Sequence, residues 1–288
     1  MIACDLGSNS FRVVEIDCDT KQRVLGFERV VKTAAGISKN GEISKDAVKR
    51  IIKAIEDAKE FFDLTDAKAV TTAALRKATN SALVLKKIKD ATGLEFEIIS
   101  AKCEARFTKV AVENRLHLEN MDVESYVLMD LGGGSTELIF KDFEVSFDIG
   151  IVSISDKYLL DDIEDGIKKE LLEVSKLAKK IKKPKTFIAS SGTPTTVASF
   201  LQGMDYESYD YKKVNGMVLS IDDINRALRE LLKMSESERV RWVGASRDDL
   251  IVAGIIIFRE ILKIFGFCEV LIIDDGLREG VALGRCKS

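Results

Sequence analysis

The sequence predicts an α/β fold divided into two domains, and three observations lead there. Short β-rich runs alternate with amphipathic helical patterns. One device, an acid, a Leu and a Gly at a polar turn between two apolar runs, occurs at DLGSNSFRVVEI (5–16) and again at DLGGGSTELIF (130–140). The length of 288 residues suits one large domain or two of ordinary size, and the repeated device favours two.

Taken in order, the apolar runs IAC (2–4), AKAV (67–70), FEII (96–99), YVLM (126–129), TFIA (186–189) and EVLII (269–273) read as strands. Between them lie helical patterns. In 45–62, Val48, Ile51, Ile52, Ile55, Phe61 and Phe62 recur at helical spacing, with Ser44 placed to cap the first turn. Similar patterns fill about 81–92, 104–117, 166–182, 222–234 and 249–264. The polar HLENMD (117–122) marks the expected boundary, giving a first domain over 1–120 and a second over 121–277, with 278–288 a candidate to rejoin the first.

Composition narrows the function. Apolar residues make up 46% and charged residues 32%, enough for a packed core. A net charge of −3 predicts no global attraction to nucleic acid or to an anionic membrane, so any anion site is local. Five cysteines without a CxxC spacing predict reduced thiols in the cytoplasm rather than a disulfide frame or a zinc site. The longest apolar stretch, LIVAGIIIF (250–258), is far short of the roughly 20 residues of a membrane span, and the N-terminus lacks a signal-peptide pattern.

Most strands run into a small polar turn: DLGSNS, TTAALR, DLGGGST, SSGTPTT and DDGLREG. Ligands of open α/β sheets bind beyond the carboxyl ends of the strands. Turns rich in glycine and hydroxyls offer many backbone N–H groups there, which suits phosphate. Gly7 and Gly132–Gly134 permit a tight reversal and close backbone approach, so each device reads as a β-hairpin whose tip holds an anion.

On these residues the chain resembles the exopolyphosphatase and guanosine pentaphosphate phosphohydrolase family. The resemblance runs in order along nearly the whole chain: DLGSNSFR (5–12), TTAALRKATN (71–80), ISAKCEAR (99–106), DLGGGSTEL (130–138), SSGTPTT (190–196), RDDLIVAG (247–254) and DGLREG (275–280). It implies two ribonuclease-H-like domains of the actin-like ATPase fold with an active-site cleft between them. It also implies release of the terminal phosphate of polyphosphate, or of the 5′-terminal phosphate of guanosine pentaphosphate, by water with Mg²⁺. Homodimers are common in the family. The extra C-terminal helical region of longer members is absent from this sequence, and the single histidine, His117, leaves no HD-type metal site.

The resemblance assigns candidate roles. Glu104 corresponds to the family's catalytic base, with Cys103 standing where the family has a first glutamate and so removing one neighbouring charge. Glu104 otherwise reads as an acid at a helix N-terminus. Asp130 and Glu137 are the candidate Mg²⁺ ligands, with Glu137 also counted as catalytic and Asp5 as a further metal candidate; hard oxygens that leave room for water and phosphate suit this ion. Aspartates in such turns also serve simply as caps. Arg76 and Asn80 are expected beside phosphate, Arg76 because a guanidinium grips phosphate oxygens in pairs. Ser8, Asn9, Ser10, Gly133, Gly134, Ser135, Gly192 and Thr193 are expected to supply backbone and hydroxyl donors. Arg12 and Arg278 are weaker candidates, since either can pair with a carboxylate. KLAKKIKKPK (176–185), with six lysines, reads first as a solvated helix end and second as an electrostatic track for a polyanion. Two rival functions remain: a kinase or ATPase of the same fold, and a phosphate or alarmone sensor without turnover.

Overall fold

The computed structural model describes residues 1–245 and 247–286. The chain divides into two compact units, Met1–Asn114 with Asp275–Ser288, and Arg115–Asp274. The division falls inside the helix Ala101–Leu118, ahead of the polar stretch that marks the boundary in sequence.

The first unit is built on β1 (Ile2–Leu6), β2 (Ser10–Ile16), β3 (Arg23–Val30), β4 (Lys68–Thr71) and β5 (Phe96–Ile98), in the spatial order β3-β2-β1-β4-β5. β1 to β3 form an antiparallel meander, whereas β4 and β5 run parallel to β1. Alternation decides the faces. Cys4, Leu6, Phe11 and Val13 pack beneath the helices Lys45–Lys59 and Ser81–Thr92, whose Ile51, Ile55 and Ile88 are buried. Ser44 caps the first of these as expected, its side chain accepting from Ala47 N. The opposite face carries Ala3, Val14 and Val70 against Leu277 and Val281 of the helix Leu277–Leu283. Gly280 makes that helix fit: a Cβ there would lie 1.9 Å from the Phe107 carbonyl oxygen.

The second unit repeats the plan. β6 (Tyr126–Leu131), β7 (Thr136–Phe140), β8 (Glu144–Phe147), β9 (Thr186–Ser190), β10 (Val218–Ser220) and β11 (Glu269–Ile272) form a sheet ordered β10-β11-β9-β6-β7-β8. Without its edge strand β10 the order matches that of the first sheet. Met129, Leu131 and Leu138 pack with the helices Gly192–Leu201 and Ile251–Ile264. Gly254 lets the last helix close in, since a Cβ would meet Thr193 Oγ1 at 2.4 Å and Ile151 Cγ2 at 2.9 Å.

One expectation fails outright. Cys18 and Cys286 form a disulfide, with Cα atoms 5.3 Å apart and 268 residues between them in sequence. Spacing rules see only neighbours, whereas this pair meets because the C-terminal segment returns to the first sheet. Cys4, Cys103 and Cys268 are free thiols. Burial, with the Asp5 charge as a lesser contribution, pushes the Cys4 thiol up to about 12, so it stays protonated. Among the described residues no helix is long and apolar enough to cross a membrane.

Three lysines of the 176–185 run have local partners. Lys176 pairs with Glu173, Lys185 pairs with Glu124, and Lys183 donates to the Gly266 carbonyl with its ammonium 4.6 Å from the Phe267 ring centre.

Candidate active site

The two hairpins close identically, Gly7 N donating to Ser10 O at 2.9 Å and Gly132 N to Ser135 O at 2.9 Å. Each tip is then tied from behind. Ala34 N donates to Ser8 O (2.8 Å), and Val31 N and Lys32 N donate to Asn9 O (2.8 and 2.9 Å). In the second hairpin Ile151 N donates to Gly132 O (3.1 Å) and Val152 N to Gly133 O (2.9 Å). A trans peptide points its C=O and the following N–H in opposite directions. Tying back the carbonyls of Ser8 and Gly132 therefore turns the N–H groups of Asn9 and Gly133 outward, and backbone amides so directed suit an anion. Gly150 is what allows the second tie: a Cβ there would lie 2.5 Å from Gly133 C and O and from Gly134 N. Asn9 also keeps its side-chain Oδ1 buried without a hydrogen-bond partner among the described residues, a costly state that a bound donor relieves.

Register places the acids. In the first sheet Asp5 lies opposite Arg12, and Arg12 opposite Glu28, so one ladder alternates acid, base, acid. Arg12 Nε donates to Glu28 Oε1 at 2.9 Å. In the second sheet the same ladder reads Asp130, Glu137, Ser146, with Ser146 Oγ donating to Glu137 Oε1 at 2.7 Å. Directly opposed residues of an antiparallel pair share a face with Cβ atoms roughly 5 Å apart, and like charges there repel. Two carboxylates therefore sit side by side where the first hairpin has a carboxylate and a guanidinium. This donor set fits a hard divalent cation whose remaining ligands are water and phosphate oxygens. Among the described residues no cluster of three or more His, Cys, Asp or Glu has the arrangement of a metal site.

Glu104 is 8% exposed in the first turn of Ala101–Leu118. Arg76 Nη1 donates to Glu104 Oε2 at 2.8 Å and to Ile99 O at 2.9 Å. The structure thus joins two residues 28 positions apart that the sequence placed separately. The sheet explains the meeting. Leu6, at the end of β1, is in register with Thr71 of β4, and Thr71 with Ile98 of β5. Thr71 Oγ1 donates to Leu6 O at 2.7 Å, and Ile99 N to Thr71 O at 3.0 Å. The hairpin tip, the Arg76 turn and the Glu104 helix therefore follow three adjacent strand ends. Two inter-strand spacings, about 10 Å, separate the outer pair.

The alignment of the chain with a family model decides its kinship: residues 13–288 match that of the Ppx/GppA phosphatase family. The chain belongs to this family. Three relatives illustrate its range. The bifunctional 3-dehydroquinate synthase/phosphatase of Fusobacterium nucleatum is 25% identical over 97% of this chain and 45% of its own length. Exopolyphosphatase 2 of Mycobacterium tuberculosis is 24% identical over 98% and 97%. The guanosine-5′-triphosphate,3′-diphosphate pyrophosphatase of Photobacterium profundum is 24% identical over 97% and 58%. The chain thus spans about half the length of the first and third and nearly all of the second. Among solved structures, the Ppx/GppA family member of Aquifex aeolicus is 28% identical, with a TM-score of 0.76 over 98% of this chain and 96% of that one. The two ribonuclease-H-like sheets are accordingly those of the actin-like ATPase fold, and the Ppx/GppA chain described here is a hydrolase of phosphatase type.

Other candidate residues of this Ppx/GppA chain fare unevenly. Asn80, expected beside phosphate, has its side-chain amide engaged locally. Its Oδ1 accepts from Ile43 N and its Nδ2 donates to Ile43 O, both at 3.0 Å, so the amide clasps a loop. Ser8, Ser10 and Ser135 are buried within the hairpins, and Thr193 is buried beneath Gly254, whereas Gly192 is half-buried at the start of its helix. Arg278 pairs with Glu279 at 2.7 Å. The DGLREG segment is in fact an ion network: Arg23 Nη2 lies 2.7 Å from Glu279 Oε1 and 4.0 Å from Asp275 Oδ1, with every partner nearly buried. Glu279 also accepts from Gly276 N. Sequence reasoning missed the network because Arg23 sits some 250 residues earlier, in a hairpin with no marked pattern.

Proposed function

We propose that this chain hydrolyses phosphoanhydrides, releasing terminal phosphate from inorganic polyphosphate, the 5′-terminal phosphate of guanosine pentaphosphate, or both. The observation that carries the reading is the pair of glycine hairpins whose carbonyls are tied back, so that Asn9 and Gly133 offer N–H groups outward. Phosphoryl transfer asks little covalent chemistry of a protein; it asks for positioning and charge relief. The outward amides would hold phosphoryl oxygens without moving. Arg76 holds the Glu104 carboxylate by one oxygen, fixing the direction in which Glu104 takes a proton from attacking water. Asp130 and Glu137 would hold Mg²⁺, which supplies charge neutralisation at the phosphate when bound. The names of the Mycobacterium and Photobacterium relatives support these two substrates.

The test is phosphate release from each substrate, with and without Mg²⁺, comparing the parent with Glu104→Gln. The substitution keeps the shape and the bond from Arg76 but removes the base, and it is expected to lower the rate by about 10²–10⁴-fold. Full activity in the variant would remove Glu104 from its role.

A further inference from the structure

Ser191 stands at a backbone conformation that its side chain resists. Among the described residues four non-glycine residues have positive φ: Lys21, Lys32 and Asn120 at 45–57°, and Ser191 at 87°. With ψ at 175°, Ser191 lies in a region essentially reserved for glycine. Strain of this kind persists only where the surroundings over-determine it, and it gathers at functional sites.

The surroundings are explicit. Ser191 follows β9, whose Ser190 is in register with Asp130 of β6. Its Oγ accepts from Leu131 N at 3.2 Å, one residue before the Gly132–Ser135 tip. Its carbonyl accepts from Thr195 Oγ1 at 2.9 Å and Thr195 N at 3.4 Å, within the first turn of Gly192–Leu201. One residue therefore fastens the base of the second hairpin to the start of the neighbouring helix. A glycine would reach the same backbone without strain but has no hydroxyl to catch the Leu131 amide. We propose that Ser191 is a positioning residue for phosphoryl transfer, its unfavourable backbone retained because the hydroxyl sets the second hairpin tip relative to Gly192 and Thr193. This inference rests on the function proposed above.

Two variants separate the roles of backbone and hydroxyl. Ser191→Gly relieves the strain and removes the catch; Ser191→Ala keeps the strain and leaves the Leu131 amide without its acceptor. Thermal unfolding, kcat and KM are measured for both. The expected result is a Tm for Ser191→Gly at or above the parent's, together with a kcat at least tenfold lower and a KM changed less than kcat. Ser191→Ala is expected to lose both Tm and kcat. A Ser191→Gly protein with parental kcat overturns the inference, as does one whose Tm falls as far as that of Ser191→Ala, because the strain argument then fails. If the parent itself releases no phosphate from either substrate and binds no tripolyphosphate by calorimetry, the proposed function has failed and this inference falls with it. A parent that turns over beside an equally active Ser191→Gly sinks the inference alone.

Discussion

Replacing Gly150 with alanine tests the tied-back hairpin where the structure is least forgiving. Gly150 has φ −137° and ψ 162°, extended backbone that alanine adopts freely, so the change acts only through its new methyl. That methyl would sit 2.5 Å from Gly133 C and O and from Gly134 N. Non-bonded carbon atoms prefer roughly 3.5 Å, so the tip must retreat by about 1 Å or the helix Ile151–Lys157 must yield. Overpacking of this size costs about 1–3 kcal/mol. A 1 Å displacement of positioning groups costs on the order of 10²-fold in rate. Gly150→Ala is therefore expected to lower kcat/KM for phosphate release about a hundredfold while unfolding remains cooperative. Steady-state kinetics beside circular dichroism decide it. A folded variant within twofold of the parent would show that the amides of Gly133 and Gly134 do not have to stand where they do.

Further outcomes follow from the same geometry. Arg23→Met removes one of the two guanidiniums beside the nearly buried Glu279; breaking a buried pair outright costs about 3–5 kcal/mol, and with Arg278 still in place the loss is smaller, so calorimetry should show a Tm lower by several degrees. Cys286→Ser removes a cross-link that closes nearly the whole chain and should destabilise by about 2–5 kcal/mol. Dithiothreitol should lower the Tm of the parent but leave that of Cys286→Ser unchanged. In native protein, alkylation at neutral pH should reach Cys268 and spare Cys4, whose buried thiol does not ionise there, as peptide mass mapping would show.

What the sequence revealed was local. The strand runs, the Ser44 cap and the helix after it depend on periods and neighbours, and the two hairpins announce themselves by repeating one turn chemistry. The opposition of Asp130 and Glu137 was legible because a tight turn fixes the register of its strands. What was hidden depends on distant returns of the chain. The Cys18–Cys286 disulfide, the Arg23–Glu279 pair and the Arg76–Glu104 pair each join residues that only the tertiary fold brings together. Asn80 shows the converse: a polar residue in a conspicuous motif whose amide answers a backbone need at Ile43. Ser191 carried no signal at all, since strain lives in dihedral angles and not in residue type.

Outward amides at the hairpin tips are the central claim, and amide NMR of the labelled protein titrated with tripolyphosphate tests them most directly. The account predicts that the N–H resonances of Asn9 and Gly133 shift and saturate, while those of Ser44 and Ala47 at the remote cap stay in place. Tip amides that remain unmoved at concentrations where the ligand binds would contradict it.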